Sequence, residues 1–201
     1  MSEANSTNRF TTKRIAKIAI LAALAVIVML FEIPLPIAPS FYKLGLDEVV
    51  VMIGGFALGP WAAVMIEAFK ILLNLLINGT MTFGVGELAN FIMGCSFVLP
   101  ACIIYRKHKT KKTAMIGLVV GCISLIVVGA LTNLFVVLPI YGQVGMPIEQ
   151  IIQAGQMIYP SINSLLSFVI IITVPFNLIK GVLSSIIVLL VYKRISPILH
   201  H

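Results

Sequence analysis

Apolar residues in this chain fall into long runs, and what interrupts them is charge, proline and glycine rather than the regular polar alternation of a half-solvated fold. A hydrocarbon core of about 30 Å takes roughly 20 apolar residues per helix. The runs predict six helices, over 14–31, 47–58, 60–78, 85–105, 113–138 and 175–193. The second is too short to cross a bilayer at about 1.5 Å per residue, and it meets the third at Gly59-Pro60. It is expected as a tilted or broken half-span, which is tolerated where protein or a cavity covers the freed backbone. The stretch 161–174 is apolar too, but Pro175 suits the first turn of a new helix, so the last helix is expected to begin there.

The fold expected is therefore an all-α integral membrane protein, a six-helix transmembrane bundle. A short tail over 1–13 precedes a membrane domain over 14–194, whose first loop runs over 32–46, and a tail over 195–201 ends in His200 and His201, which read as a tag remnant. The first apolar run has no small-x-small cleavage site and leads straight into further apolar segments, so it is read as helix one and not as a signal peptide.

Composition agrees with this solvent. Of 201 residues 60% are hydrophobic and 10% charged, and the mean hydropathy is +1.10, far outside the range of a soluble domain. The net charge of +7 would suit nucleic acid if it lay on one face, but the cations flank the apolar runs. Arg9, Lys13, Arg14 and Lys17 open helix one, Arg106, Lys107, Lys109, Lys111 and Lys112 separate helices four and five, and Lys193 and Arg194 close helix six. With six crossings all of these lie on one side, which the positive-inside rule makes the cytoplasm. A cell-membrane protein with both termini cytoplasmic follows, and no nucleic-acid partner. The opposite loops hold Lys43 beside Glu32, Asp47, Glu48 and Glu149.

Catalytic machinery is missing from the sequence. It has no G-x-x-x-x-G-K-[ST] phosphate loop and no H-E-x-x-H, and His108 sits in a charge run. Cys95, Cys102 and Cys122 lie within spans without metal-ligand spacing, as small packing residues. No catalytic residue, metal site or cofactor is expected.

Polar groups inside a span are costly and mark function by default. Measured from the basic ends at about 1.5 Å per residue, Glu87 and Asn90 on helix four, Asn133 on helix five, and Asn177 and Lys180 on helix six all lie roughly 20–31 Å away. Five polar residues on three helices thus share one depth, and both i, i+3 pairs share a face. They form either a pocket opening outward or interhelical glue in which Glu87 neutralises Lys180. As a pocket, amides with one ammonium suit imide, carbonyl and hydroxyl groups and not a polyanion. Glu67 and Lys70 on helix three read as a structural ion pair. The first loop holds Pro34, Pro36, Pro39, Phe41 and Tyr42, a stiff and partly apolar segment suited to covering a flat ligand or serving as a linker. Ala19-x-x-x-Ala23, with Ala16, Ala22 and Ala25, permits close helix approach, within the bundle or to another membrane protein.

The segments Phe31-Glu-Ile-Pro-Leu-Pro to Tyr42-Lys-Leu, Ile53-Gly-Gly-Phe-Ala-Leu-Gly-Pro60, Gly86-Glu-Leu-Ala-Asn-Phe-Ile-Met-Gly94, Thr132-Asn-Leu to Pro139-Ile-Tyr, and Pro175-Phe-Asn-Leu-Ile-Lys-Gly181 carry a resemblance over nearly the whole chain. It resembles the riboflavin-specific substrate-binding (S) components of energy-coupling factor (ECF) vitamin transporters. The resemblance implies a six-helix bundle that captures extracellular riboflavin as transported ligand beneath the first loop. It implies polar contacts from Asn133, Asn177 and Lys180, joined by Glu87 and Asn90, and a coupling surface at Ala19 and Ala23. The implied partners are a transmembrane coupling protein and two cytoplasmic ATPases. An S component for another vitamin (pantothenate, thiamine or biotin) and a membrane assembly subunit without ligand are the competing expectations.

Overall fold

The structure is a computed structural model that describes residues 11–80, 83–144 and 147–199. Arg9, most of the expected N-terminal tail, His200 and His201 lie outside the described residues, as do the side chains of Lys193 and Arg194.

The described chain is all-α apart from one two-residue hairpin. Helix α1 covers Thr12–Met29, α2 Asp47–Leu58, α3 Pro60–Asn78, α4 Val85–Lys107 and α5 Lys111–Thr132. A π turn over Asn133–Val137 carries α5 directly into α6, Leu138–Val144. Then come α7, Ile148–Gln156, and α8, Leu165–Phe168, which a second π turn over Val169–Thr173 joins to α9, Val174–Leu199. Counting helices joined through π turns as one, the described residues form seven helical bodies where six were expected. The extra body is α7, which packs Ile151 and Gly155 inward. Four bodies are long and apolar enough to cross a membrane: Pro60–Asn78, Val85–Lys107, Lys111–Gln143 and Leu165–Val191. Helix α1 has the length but carries Lys13, Arg14 and Lys17 in its first turns, and α2 has only 12 residues.

The α2–α3 junction lies where the sequence places it. Gly59 takes φ 97°, which a side chain would resist, and Pro60 starts α3 where its missing N–H costs nothing. The freed carbonyl of Leu58 accepts a hydrogen bond from Arg14 Nη2 at 2.5 Å, tying the start of α1 to the end of α2.

The break expected at Pro175 does not occur. Proline lacks an N–H and its ring clashes with the carbonyl four residues back, and here the π turn takes up the mismatch: the Val174 N–H reaches Val169 O just ahead of Pro175. The same device recurs before Pro139, where the Leu138 N–H reaches Asn133 O. Residues 139–144, 148–156 and 165–174 are helical, although they lie between the fifth and sixth helices expected from the sequence.

Packing divides into two apolar clusters. The larger joins α1 to α5 and α9 around Phe56 and Tyr105, whose rings stack at 4.3 Å. Helices α4 and α5 touch through glycine: a Cβ on Gly121 would lie 2.3 Å from the carbonyl oxygen of Phe97, and one on Gly117 2.7 Å from that of Ala101. Because the obstacle is backbone, Gly121→Ala is expected to force the helices apart and lower stability by about 1–3 kcal/mol, the usual cost of overpacking, read as a drop in melting temperature in detergent. The smaller cluster, with Ala38, Leu138, Ile151, Ile162, Phe168 and Phe176, lies at the opposite end and packs under the first loop.

That loop is an ordered hairpin. Strand β1, Ile33–Pro34, pairs antiparallel with β2, Lys43–Leu44, with Ile33 opposite Leu44.

Candidate functional site

A cavity of about 640 Å³ opens at the hairpin end, within the range of small-molecule sites. All seven residues expected to bind ligand line it: Phe41, Tyr42, Glu87, Asn90, Asn133, Asn177 and Lys180. Four separate stretches of chain supply them, namely the first loop, α4, the π turn after α5, and α9.

The loop is held over the cavity by aromatic packing and two hydrogen bonds. Phe41 stacks on Phe168 at 6.4 Å, and Tyr42 meets Phe176 edge-on at 5.2 Å. The Tyr42 hydroxyl donates to Asn133 Oδ1 at 2.9 Å. Its single proton is spent there, so the Thr173 hydroxyl, 2.8 Å away, donates to Tyr42. Burial pushes the Tyr42 phenol well above its ordinary pKa, which keeps it a donor at any physiological pH. Tyr42→Phe is expected to remove both bonds and leave Asn133 Oδ1 and Thr173 without their partner. A loss of about 1–3 kcal/mol, read as faster proteolysis of the 32–46 loop and a lower melting temperature, is the outcome that fits.

The amides differ in how they are used. Asn133 Nδ2 donates to Gly129 O at 2.8 Å and its Oδ1 serves Tyr42, so this side chain braces the loop as well as facing the cavity. Asn177 is 5% exposed, and its Nδ2 has no hydrogen-bond partner among the described residues. That donor is available to a carbonyl or ring nitrogen brought by a ligand.

The pairing of Glu87 with Lys180, which the glue alternative required, is not the one formed among the described residues. Glu87 Oε2 accepts from the Thr80 hydroxyl at 3.0 Å, while Lys180 Nζ lies 3.8 Å from Glu48 Oε1. Behind Lys180 sits a buried charge network that sequence reading saw only in part. Lys70 Nζ contacts Glu67 at 2.8 Å, the expected i, i+3 pair, but also Asp47 at 2.5 Å and Glu48 at 3.2 Å. All four are at most 3% exposed. Asp47 and Glu48 open α2 at the expected boundary, where acidic groups favour the helix N-terminus; their burial against Lys70 is what the sequence did not show.

Further cavity residues escaped the sequence reading. Asn74 and Asn78 reach it from α3, joined to each other by a 2.7 Å hydrogen bond. Glu32 faces it from the loop, where burial and then the nearby Asp47 charge raise its carboxyl above the ordinary range. Asn74 and Asn78 follow Lys70 at one and two turns on the same face of α3, which was a readable signal; Glu32 carried none.

The alanines of α1 divide between two faces. Ala22 and Ala25 are buried against the bundle, whereas Ala16, Ala19 and Ala23 are exposed beside Ile20, Leu24 and Ile27. The Ala19-x-x-x-Ala23 pair is therefore not packed against the bundle among the described residues.

Comparison with known proteins places this architecture. Residues 13–192 match the family profile described as ECF transporter, substrate-specific component. The riboflavin transporter RibU of Staphylococcus aureus (strain TCH60) is 31% identical over 96% of this chain and 95% of its own length. The riboflavin transporter FmnP of Bacillus subtilis (strain 168) is 27% identical over 92% of this chain and 93% of its own. A solved structure of the S component of a bacterial ECF transporter superposes with a TM-score of 0.73 at 30% identity, covering 94% of this chain and 99% of that one. This is a family of transporter components and not of enzymes. The chain belongs to the substrate-specific (S) components of ECF transporters.

Proposed function

We propose that this S component binds riboflavin and delivers it for uptake. The observation that carries the reading is the cavity itself. Five asparagine amides (Asn74, Asn78, Asn90, Asn133 and Asn177) and the ammonium of Lys180 face one cavity under an aromatic loop, a donor and acceptor set that matches the imide edge and hydroxylated chain of a flavin, with Phe41 and Tyr42 available to the ring system. The names of the two relatives point to the same vitamin.

In this reading the chain crosses the bilayer six times, with α7 lying across the outer end and both termini in the cytoplasm. The hairpin loop is the lid of an outward-facing site in which Asn177 and Lys180 contact the vitamin and Asn133 links vitamin to lid. A transmembrane coupling protein and two cytoplasmic ATPases drive the transport cycle, and the exposed Ala16, Ala19 and Ala23 form the surface that meets the coupling protein. The apolar outward residues around that stripe, such as Ile20, Leu24 and Ile27, face lipid in the free subunit.

Competition tests the vitamin. Protein purified in detergent and loaded with riboflavin is expected to hold its flavin against a large excess of pantothenate, thiamine or biotin. Displacement by one of those would reassign the site to that vitamin.

A further inference from the structure

Gly129, on α5 one turn before Asn133, touches both buried amides of the cavity. Its carbonyl oxygen accepts from Asn133 Nδ2 at 2.8 Å. Its bare Cα faces Asn177 from the other side: a Cβ built there would lie 2.3 Å from Asn177 Nδ2 and 3.2 Å from Asn177 Cγ. Real Cβ atoms do not approach so closely, so any residue but glycine evicts the amide. The next neighbour, Met93 Sδ at 3.4 Å, is at ordinary contact distance.

Glycine at this place differs from the other close-packed glycines of α5. At Gly117 and Gly121 the obstacle is the backbone of α4, which cannot yield without separating two helices. At Gly129 the obstacle is the far end of one side chain, which can rotate away. Alanine also favours a helix more than glycine does. A methyl group at 129 is therefore tolerated by the bundle and not by the placement of Asn177.

We propose that Gly129 is a positioning residue for the vitamin site, a reading that rests on the assignment of that site given above: its carbonyl fixes the Asn133 amide and its missing side chain fixes the Asn177 amide. Two polar groups from separate stretches of chain, the π turn and α9, are thereby set against one atom group on α5. Preorganised donors of this kind bind better than donors that must be ordered by the ligand.

The test is a double-mutant cycle on the full chain in detergent, with riboflavin affinity read by fluorescence quenching and the melting temperature measured without vitamin. Gly129→Ala is expected to weaken riboflavin binding by about tenfold or more while leaving the melting temperature equal or higher. In an Asn177→Ala background the same change is expected to weaken binding by less than about twofold, because the group it displaces is already gone. Equal losses in both backgrounds would overturn the proposal, as would unchanged affinity in Gly129→Ala when Asn177→Ala alone binds poorly. If Gly129→Ala does not fold, the double variant decides: its folding supports a conflict confined to Asn177, and its failure refutes one. Unchanged affinity in Asn177→Ala would overturn the proposal by removing the contact it serves, and unchanged affinity in Lys180→Ala as well would remove the site assignment itself.

Discussion

Lys70→Met is expected to destabilise the protein by about 3–5 kcal/mol, the cost of leaving buried charges without their partner. Lys70 Nζ is the common contact of Asp47, Glu48 and Glu67, at 2.5, 3.2 and 2.8 Å, and all four groups are buried. With the ammonium removed, three carboxylates share one apolar space, and Lys180 touches only Glu48, at 3.8 Å. The loss is read as a fall in melting temperature in detergent. Removing charge on the acidic side as well, with Asp47→Asn and Glu67→Gln added to Lys70→Met, is expected to recover much of it, since what is costly is the uncompensated charge and not the missing pair. A melting temperature unchanged by Lys70→Met would contradict the network as drawn.

Asn177→Ala and Lys180→Ala are expected to weaken riboflavin binding by about 1.5–3 kcal/mol each, roughly ten- to a hundredfold, while both variants still fold. Asn177 contributes no hydrogen bond from Nδ2 to the described residues, so its truncation takes little from the fold. Removing Lys180 leaves Glu48 with Lys70 at 3.2 Å, so the buried carboxylate keeps an ammonium. Affinity measured by quenching, beside melting temperatures of the same samples, separates the two effects. Wild-type affinity in both variants would sink the site assignment.

Legibility in the sequence follows the range of the interaction that fixes each feature. The bounds of α2 and α3 were readable because Gly59-Pro60 is a local stop and start signal. The shared depth of Glu87, Asn90, Asn133, Asn177 and Lys180 was readable because helical rise converts residue number to height, and all five do line one cavity. The helix across Pro175 was not, since the local rule for proline gives a helix start and the π turn that absorbs it depends on neighbours packed around 169–173. Asp47 and Glu48 were readable as the start of α2 but not as buried charges. Their burial comes from Lys70, more than twenty residues away, and from α9, neither of which leaves a mark on their own segment. Helix α7 escaped for a related reason: it is nine residues long and buries only Ile151 and Gly155. The hairpin in the first loop rests on a two-residue pairing too short to show as strand periodicity. The partner of Lys180 was left open because depth alone does not choose between Glu87 and Glu48, and the packing of α2 against α9 selects Glu48.

The central claim is that the cavity beneath the hairpin binds one riboflavin. Titrating ligand-free protein in detergent with riboflavin while following flavin fluorescence tests it most directly. Saturable quenching that ends at one vitamin per chain is the predicted result, and fluorescence that stays that of free riboflavin at every protein concentration would contradict it.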